Sequence, residues 1–198
     1  MAQALLLIDI QNDFCPNGAL AVAEGDAVAP YANQAMAQYA HVIATQDWHP
    51  SGHSSFASAH QAAPFSVTQM PYGDQVLWPD HCMQGQAGAQ FHPELNLDPV
   101  RMIVRKGMNP KIDSYSAFFE NDHETTTGLH GYLQNLGVSD VTLIGLATDY
   151  CVAYSAMDAA KLGYHVCVDL KGCRAIDLDG SLSKALGDMR AVGVQIKE

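Results

Sequence analysis

The stretch Asp47-Trp48-His49-Pro50-Ser51-Gly52-His53 carries one carboxylate and two imidazoles, and a third imidazole follows at His81 within Trp78-Pro79-Asp80-His81-Cys82. Neutral imidazoles with a carboxylate suit zinc, iron or manganese and leave coordination positions open for water or substrate. A single loop histidine is more often solvent-exposed or hydrogen-bonded locally, and His60 and His92 take that reading. The clustering of Asp47, His49 and His53, with His81 close behind, favours metal ligation instead. Cys82 is a softer donor, and its neighbour His81 is the better candidate.

A thiol forms the second constellation. Gly145-Leu146-Ala147-Thr148-Asp149-Tyr150-Cys151 reads as a strand running into a helix that Thr148 or Asp149 can cap, with Cys151 in the first turn. Unpaired N–H groups and the helix dipole there favour thiolate over thiol, and the same N–H groups could bind an oxyanion formed on an attacked carbonyl. Cys167 lies in an apolar run and fits a small buried hydrophobe. Cys15 and Cys173 sit near turns and carry no mark of a nucleophile. A thiol needs a base, and no histidine is obviously placed to be one. Asp9 is the candidate, because a carboxylate ending the apolar run Ala4-Leu5-Leu6-Leu7-Ile8 is costly unless paired or used. Asp13 better fits a turn cap. Lys106 ends Met102-Ile103-Val104-Arg105-Lys106; alone it would read as a surface charge, but at a buried rim it needs an anionic partner, and Asp9 can be that partner.

These residues need elements that bring them together. Short apolar runs at Leu5 to Ile8, Val42 to Thr45, Met102 to Val104, Val141 to Ile144, Tyr164 to Val168 and Val192 to Ile196 read as strands. Helical patterns separate several of them: Asp26 to Tyr39, Gly128 to Leu136, Asp149 to Leu162 and Leu182 to Met189. Pro30 suits a first turn, while Gly137 and Gly163 read as C-terminal stops. Continuously apolar strands alternating with helices indicate an α/β fold with a parallel sheet covered on both faces. Right-handed crossovers then gather the strands' C-terminal ends on one edge, where ligands bind. Asp9, Asp47, Lys106 and the segment 147–151 all fall just past such ends. The stretch from 47 to 99 has little periodicity and is expected to be a functional loop region, with room for a short helix.

The 198 residues suffice for a single domain spanning 1–198, and the chain's mean hydropathy is close to zero. A formal net charge of -11 disfavours nucleic acid and anionic membrane surfaces as partners. Five scattered cysteines without a CxxC pair indicate reduced thiols and a cytoplasmic location, and the apolar start lacks the flanks of a signal peptide.

Six blocks, in order along most of the chain, resemble the nicotinamidase/pyrazinamidase family of isochorismatase-like cysteine hydrolases. They are Ile8-Asp9-Ile10-Gln11-Asn12-Asp13-Phe14, Gln46-Asp47-Trp48-His49-Pro50, Trp78-Pro79-Asp80-His81-Cys82, Arg105-Lys106-Gly107, Asp113-Ser114-Tyr115-Ser116-Ala117-Phe118-Phe119 and Gly145-Leu146-Ala147-Thr148-Asp149-Tyr150-Cys151-Val152. The resemblance implies a three-layer αβα fold with a six-stranded parallel sheet in the order 3-2-1-4-5-6. It implies a catalytic Asp9, Lys106 and Cys151, with a cis peptide before Ala147 that aims its N–H, beside that of Cys151, at the substrate oxygen. It carries metal ligation onto Asp47, His49 and His81, with His53 as a further ligand, for one divalent ion per chain: zinc or iron, with manganese a third candidate. Phe14, Leu20, Trp78, Tyr115, Ala147 and Tyr150 align with a pocket for an aromatic ring. The implied reaction is hydrolysis of nicotinamide to nicotinic acid and ammonia in NAD salvage, with pyrazinamide a second substrate, by a monomer or homo-oligomer. Relatives that act on carbamoyl or ureido compounds share the triad but generally lack the metal site, and isochorismatases lack the cysteine. A catalytically silent binding module would show decay of a triad residue, and none is seen.

Overall fold

The computed structural model describes residues 2–198. Eight strands form: β1 (Ala2–Ile8), β2 (His41–Asp47), β3 (Val67–Met70), β4 (Gly73–Val76), β5 (Val100–Lys106), β6 (Val138–Leu146), β7 (His165–Arg174) and β8 (Gln195–Lys197). Six of them build one sheet in the order β5-β2-β1-β6-β7-β8, every neighbouring pair parallel. Counted along the chain without the β3–β4 hairpin, this is the expected order 3-2-1-4-5-6. The central strand β1 is the most apolar run, and Ala4 to Ile8 are buried on both faces. The edge strand β5 alternates, exposing Arg101, Ile103 and Arg105.

Four helices connect the strands: α1 (Val28–Met36), α2 (Leu129–Asn135), α3 (Ala153–Lys161) and α4 (Ser181–Ala191). Right-handed crossovers put α1 on one face of the sheet and the other three on the opposite face. Pro30 sits in the first turn of α1, where its missing N–H has no helical partner to lose. Helices α2 and α3 end before Gly137 and Gly163, both at positive φ.

Three expectations need correction. The helix expected from Asp26 begins as a 3-10 turn, Gly25–Ala27, and becomes α-helical only at Val28. The last strand is shorter than Val192 to Ile196, because Gly193 turns the chain at positive φ and pairing starts at Gln195. The region 47–99 contains, besides the short 3-10 turns Ala57–His60 and Ala87–Ala89, an antiparallel β3–β4 hairpin that the weak apolar alternation of Val67 to Val76 had not suggested. Its path is fixed to the sheet by Gln11, whose side chain donates to the carbonyls of Asp47 (2.8 Å) and Ala89 (2.9 Å) and accepts from the Asp47 N–H.

Candidate active site

Parallel strands all point the same way, so β1, β2, β5 and β6 deliver Asp9, Asp47, Lys106 and Ala147 to one rim. The rim is dry. Lys106 is 2% exposed and Asp9 fully buried. The Lys106 ammonium lies 2.8 Å from Asp9 Oδ2, donates to Asp47 Oδ1 and to the Ser114 carbonyl (2.8 Å), and reaches Cys151 Sγ at 3.4 Å. Thr45 holds the other Asp9 oxygen by donating to Oδ1 at 2.6 Å. Lys106 ion-pairs with Oδ2, the Asp9 oxygen that Thr45 does not hold.

Burial pushes the Asp9 carboxyl up to about 6, with Lys106 opposing and Asp47 reinforcing the rise. Asp47 moves the other way. Burial would raise it, but Lys106 and His49 hold it well below the usual carboxylate range. Lys106, in spite of burial, stays firmly protonated between Asp47 and Asp9. Burial drives the Cys151 thiol well above its ordinary value, and Lys106 only partly opposes this. Burial thus works against the thiolate expected from a helix N-terminus.

The local backbone also departs from that expectation. Thr148–Val152 forms a π-turn ahead of α3, and neither Thr148 nor Asp149 caps it. The N–H groups of Tyr150 and Val152 both converge on the Ala147 carbonyl, and the Leu146–Ala147 peptide is cis. The Asp149 carboxylate instead accepts from the N–H groups of Ile176 (3.0 Å) and Asp177 (2.8 Å) and from the Ser181 hydroxyl, binding the segment before α4 to the nucleophile turn.

Beside this centre, His49 Nε2 and His81 Nε2 approach Asp47 Oδ2 at 3.6 and 3.9 Å. His49 Nδ1 faces the Gly107 carbonyl at 2.9 Å, and His81 Nδ1 the Pro79 carbonyl at 2.8 Å. A carbonyl can only accept, so Nδ1 carries a proton in both rings and Nε2 is the nitrogen turned toward the carboxylate and available to an ion. Two imidazole donors oriented by backbone acceptors, with a carboxylate between them, fit a divalent metal ion. His53 does not join them. Its Nε2 faces the carbonyls of Asn109 (2.8 Å) and Ile112 (3.3 Å), and its Nδ1 accepts from the Ser55 N–H (3.2 Å) and lies 2.8 Å from the Ser55 hydroxyl. Both ring nitrogens are thus engaged by the protein, and His53 packs against His49 with ring centroids 4.5 Å apart.

A small cavity opens between the thiol and this cluster. Its walls include all six ring-pocket residues suggested by the sequence: Phe14, Leu20, Trp78, Tyr115, Ala147 and Tyr150. Trp78 and Tyr150 meet edge to face at 4.8 Å. The Tyr115 hydroxyl accepts from Trp78 Nε1 (3.0 Å) and Gln75 Nε2 (2.9 Å). Sequence reasoning missed Thr45, Gln75, Asp113 and Ile176. Asp113 stood at the head of a recognised block without a role, whereas Gln75, within the overlooked hairpin, gave no signal.

Residues 3–197 match the isochorismatase domain model. The nicotinamidase of Acinetobacter baylyi is 50% identical over 193 residues, covering 97% of this chain and 90% of the relative. A nicotinamidase/pyrazinamidase structure from Acinetobacter baumannii superposes with a TM-score of 0.98 at 48% identity, over 99% of this chain and 95% of the other. The zinc complex of the Pyrococcus horikoshii pyrazinamidase superposes with a TM-score of 0.80 at 33% identity, over 100% and 99% of the two chains. The chain thus belongs to the isochorismatase family, in its nicotinamidase/pyrazinamidase branch.

Proposed function

We propose that this chain is a nicotinamidase, a metal-containing cysteine amidohydrolase that converts nicotinamide to nicotinic acid and ammonia in NAD salvage and also deamidates pyrazinamide. The observation that carries the reading is the buried Lys106 ammonium, in contact with both the Asp9 carboxylate and the Cys151 sulfur at the wall of an aromatic-lined cavity. The likeness to enzymes named for these two amides supports the choice of substrate.

In the first half-reaction Cys151 Sγ attacks the carboxamide carbon while its proton passes to Asp9 Oδ2. Because the free thiol holds its proton tightly and Asp9 titrates at about 6, the proton leaves as the carbon–sulfur bond forms, not beforehand. Lys106 stays charged throughout and offsets the negative charge that builds at sulfur and carboxylate. The N–H groups of Ala147 and Cys151 receive the developing oxyanion. Asp9 then returns the proton to the departing nitrogen, which leaves as ammonia, and a thioester remains on Cys151. Water, deprotonated by Asp9, attacks that thioester; Cys151 regains its proton and nicotinic acid is released.

Asp47, His49 and His81 would hold a zinc or iron ion, with manganese the third candidate, whose Lewis acidity would serve to anchor the pyridine nitrogen. Phe14, Trp78, Tyr115 and Tyr150 enclose the ring and exclude water from the reacting carbon. The working location is the cytoplasm, and the substrate is a small neutral amide.

An ammonia-release assay with nicotinamide, run before and after chelation, tests this reading. Turnover that falls on chelation and returns with added metal is expected. Hydrolysis of a ureido compound in preference to nicotinamide would reject the assignment.

A further inference from the structure

We propose that Asp113 is the counter-charge for the divalent ion held by Asp47, His49 and His81, and that it sets how tightly the chain retains that ion. The inference rests on the metal reading given above. Asp113 is 2% exposed and lines the same cavity as Asp47 and His81. One of its carboxylate oxygens lies within 4.8 Å of ring nitrogens of His49 and His53. Yet its hydrogen bonds come only from neutral donors: the Ser114 N–H to Oδ1 at 2.9 Å and Gln75 Nε2 to Oδ2 at 2.8 Å. Among the described residues no lysine or arginine pairs with it, since the buried Lys106 is taken by Asp9 and Asp47.

A buried carboxylate without a cation is costly, and neutral hydrogen bonds offset only part of that cost. Around this cavity three buried carboxylates, Asp9, Asp47 and Asp113, face one buried ammonium, so that with neutral imidazoles two formal negative charges remain. One divalent cation at the Asp47–His49–His81 cluster restores balance. The surrounding contacts hold Asp113 in place. Gln75, buried on β4, accepts at Oε1 from Tyr72 (3.2 Å) and Asn121 (3.3 Å), and Asn121 in turn accepts from the Tyr115 N–H (3.0 Å). The hairpin thereby fixes a negative charge beside the histidine cluster without supplying a positive one. Asp113 is a positioning residue on this account: it acts on the ion through charge, and His53 behind it remains a structural neighbour.

The test uses metal-stripped full-length protein, titrated with zinc against a competing chelator, and thermal melts with and without zinc. Asp113→Asn keeps the side-chain shape and one of the two acceptors, for either Gln75 or the Ser114 N–H, and removes the charge. It is expected to weaken zinc binding by about 10- to 100-fold, to raise the melting temperature of the stripped protein and to shrink the rise that zinc produces. Asp113→Glu, which keeps the charge, should retain most of the affinity. If Asp113→Asn does not fold when stripped, Asp113→Ser provides the same neutralisation with space for water. Unchanged zinc affinity, with both melting temperatures lowered by the same amount, would overturn the inference and leave Asp113 a purely structural acceptor. Wild-type protein that binds no zinc, iron or manganese would overturn the metal reading and this inference with it. Loss of binding in Asp47→Ala but not in the Asp113 variants would overturn this inference alone.

Discussion

Replacing Asp9 with asparagine should make the protein more stable and nearly inactive. Burial raises the Asp9 carboxyl from 3.8 to about 6 in the fold, even with Lys106 beside it. An acid that holds its proton more tightly when folded opposes folding once it is ionised. Its cost is absent below the unfolded value near 3.8, grows as pH rises, and is complete above about 6, where it amounts to roughly 3 kcal/mol. Asparagine cannot ionise and escapes the cost. It can turn its oxygen to Lys106, while the Thr45 hydroxyl must reverse from donor to acceptor to meet the amide. In metal-stripped protein at pH 8, urea unfolding should show Asp9→Asn stabilised by up to about 3 kcal/mol, or roughly 6–12 °C in a thermal melt. Below pH 4 the gain should vanish. Loss of the general base should lower kcat by about 10²- to 10⁴-fold. A variant that is less stable than wild type by the same amount at pH 8 and pH 4 would refute the reasoning, because Asp9 would then be held by net attraction.

Lys106→Met removes the ammonium that contacts two buried carboxylates. It should cost about 3–5 kcal/mol in urea unfolding at pH 8 and less at lower pH, where Asp9 takes up a proton. Gly107 sits at φ +64, and a Cβ there would overlap the His49 ring that its own carbonyl orients. Gly107→Ala should therefore lose metal on dialysis and unfold about 1–3 kcal/mol more easily. The pH profile of kcat/KM should rise through about 6 as Asp9 becomes the free carboxylate, and Asp9→Glu should displace that limb without abolishing it.

The sheet was legible because its central strands are apolar runs, and Asp9, Asp47 and Lys106 each fall at or just past a strand end. Asp9 after Ile8, Asp47 at the end of β2 and Lys106 at the end of β5 follow from that regularity alone. The ring pocket was legible through resemblance, since Phe14, Trp78 and Tyr115 lie far apart in the chain and meet only in the fold. The histidines show the limit. His49, His53 and His81 look alike on paper, but ligation depends on where each second nitrogen goes. For His53 that nitrogen faces carbonyls of Asn109 and Ile112, more than fifty residues away. Likewise the position of Cys151 suggested a thiolate, whereas burial pushes the thiol up and works against it. Gln75 was invisible because its partners Asp113 and Tyr115 are 38 and 40 residues distant, and polar alternation in a short hairpin carries little apolar signal.

The central claim is that a neutral thiol, relieved of its proton by Asp9 under the field of Lys106, becomes acylated during turnover. Acid-quenching the enzyme in the steady state with nicotinamide, followed by intact-mass and peptide mass spectrometry, tests it most directly. The account predicts a single nicotinoyl adduct on the Cys151 peptide, labile to hydroxylamine and absent from Cys151→Ser. Sustained ammonia release by Cys151→Ala, with no acylated peptide in the wild type, would contradict it.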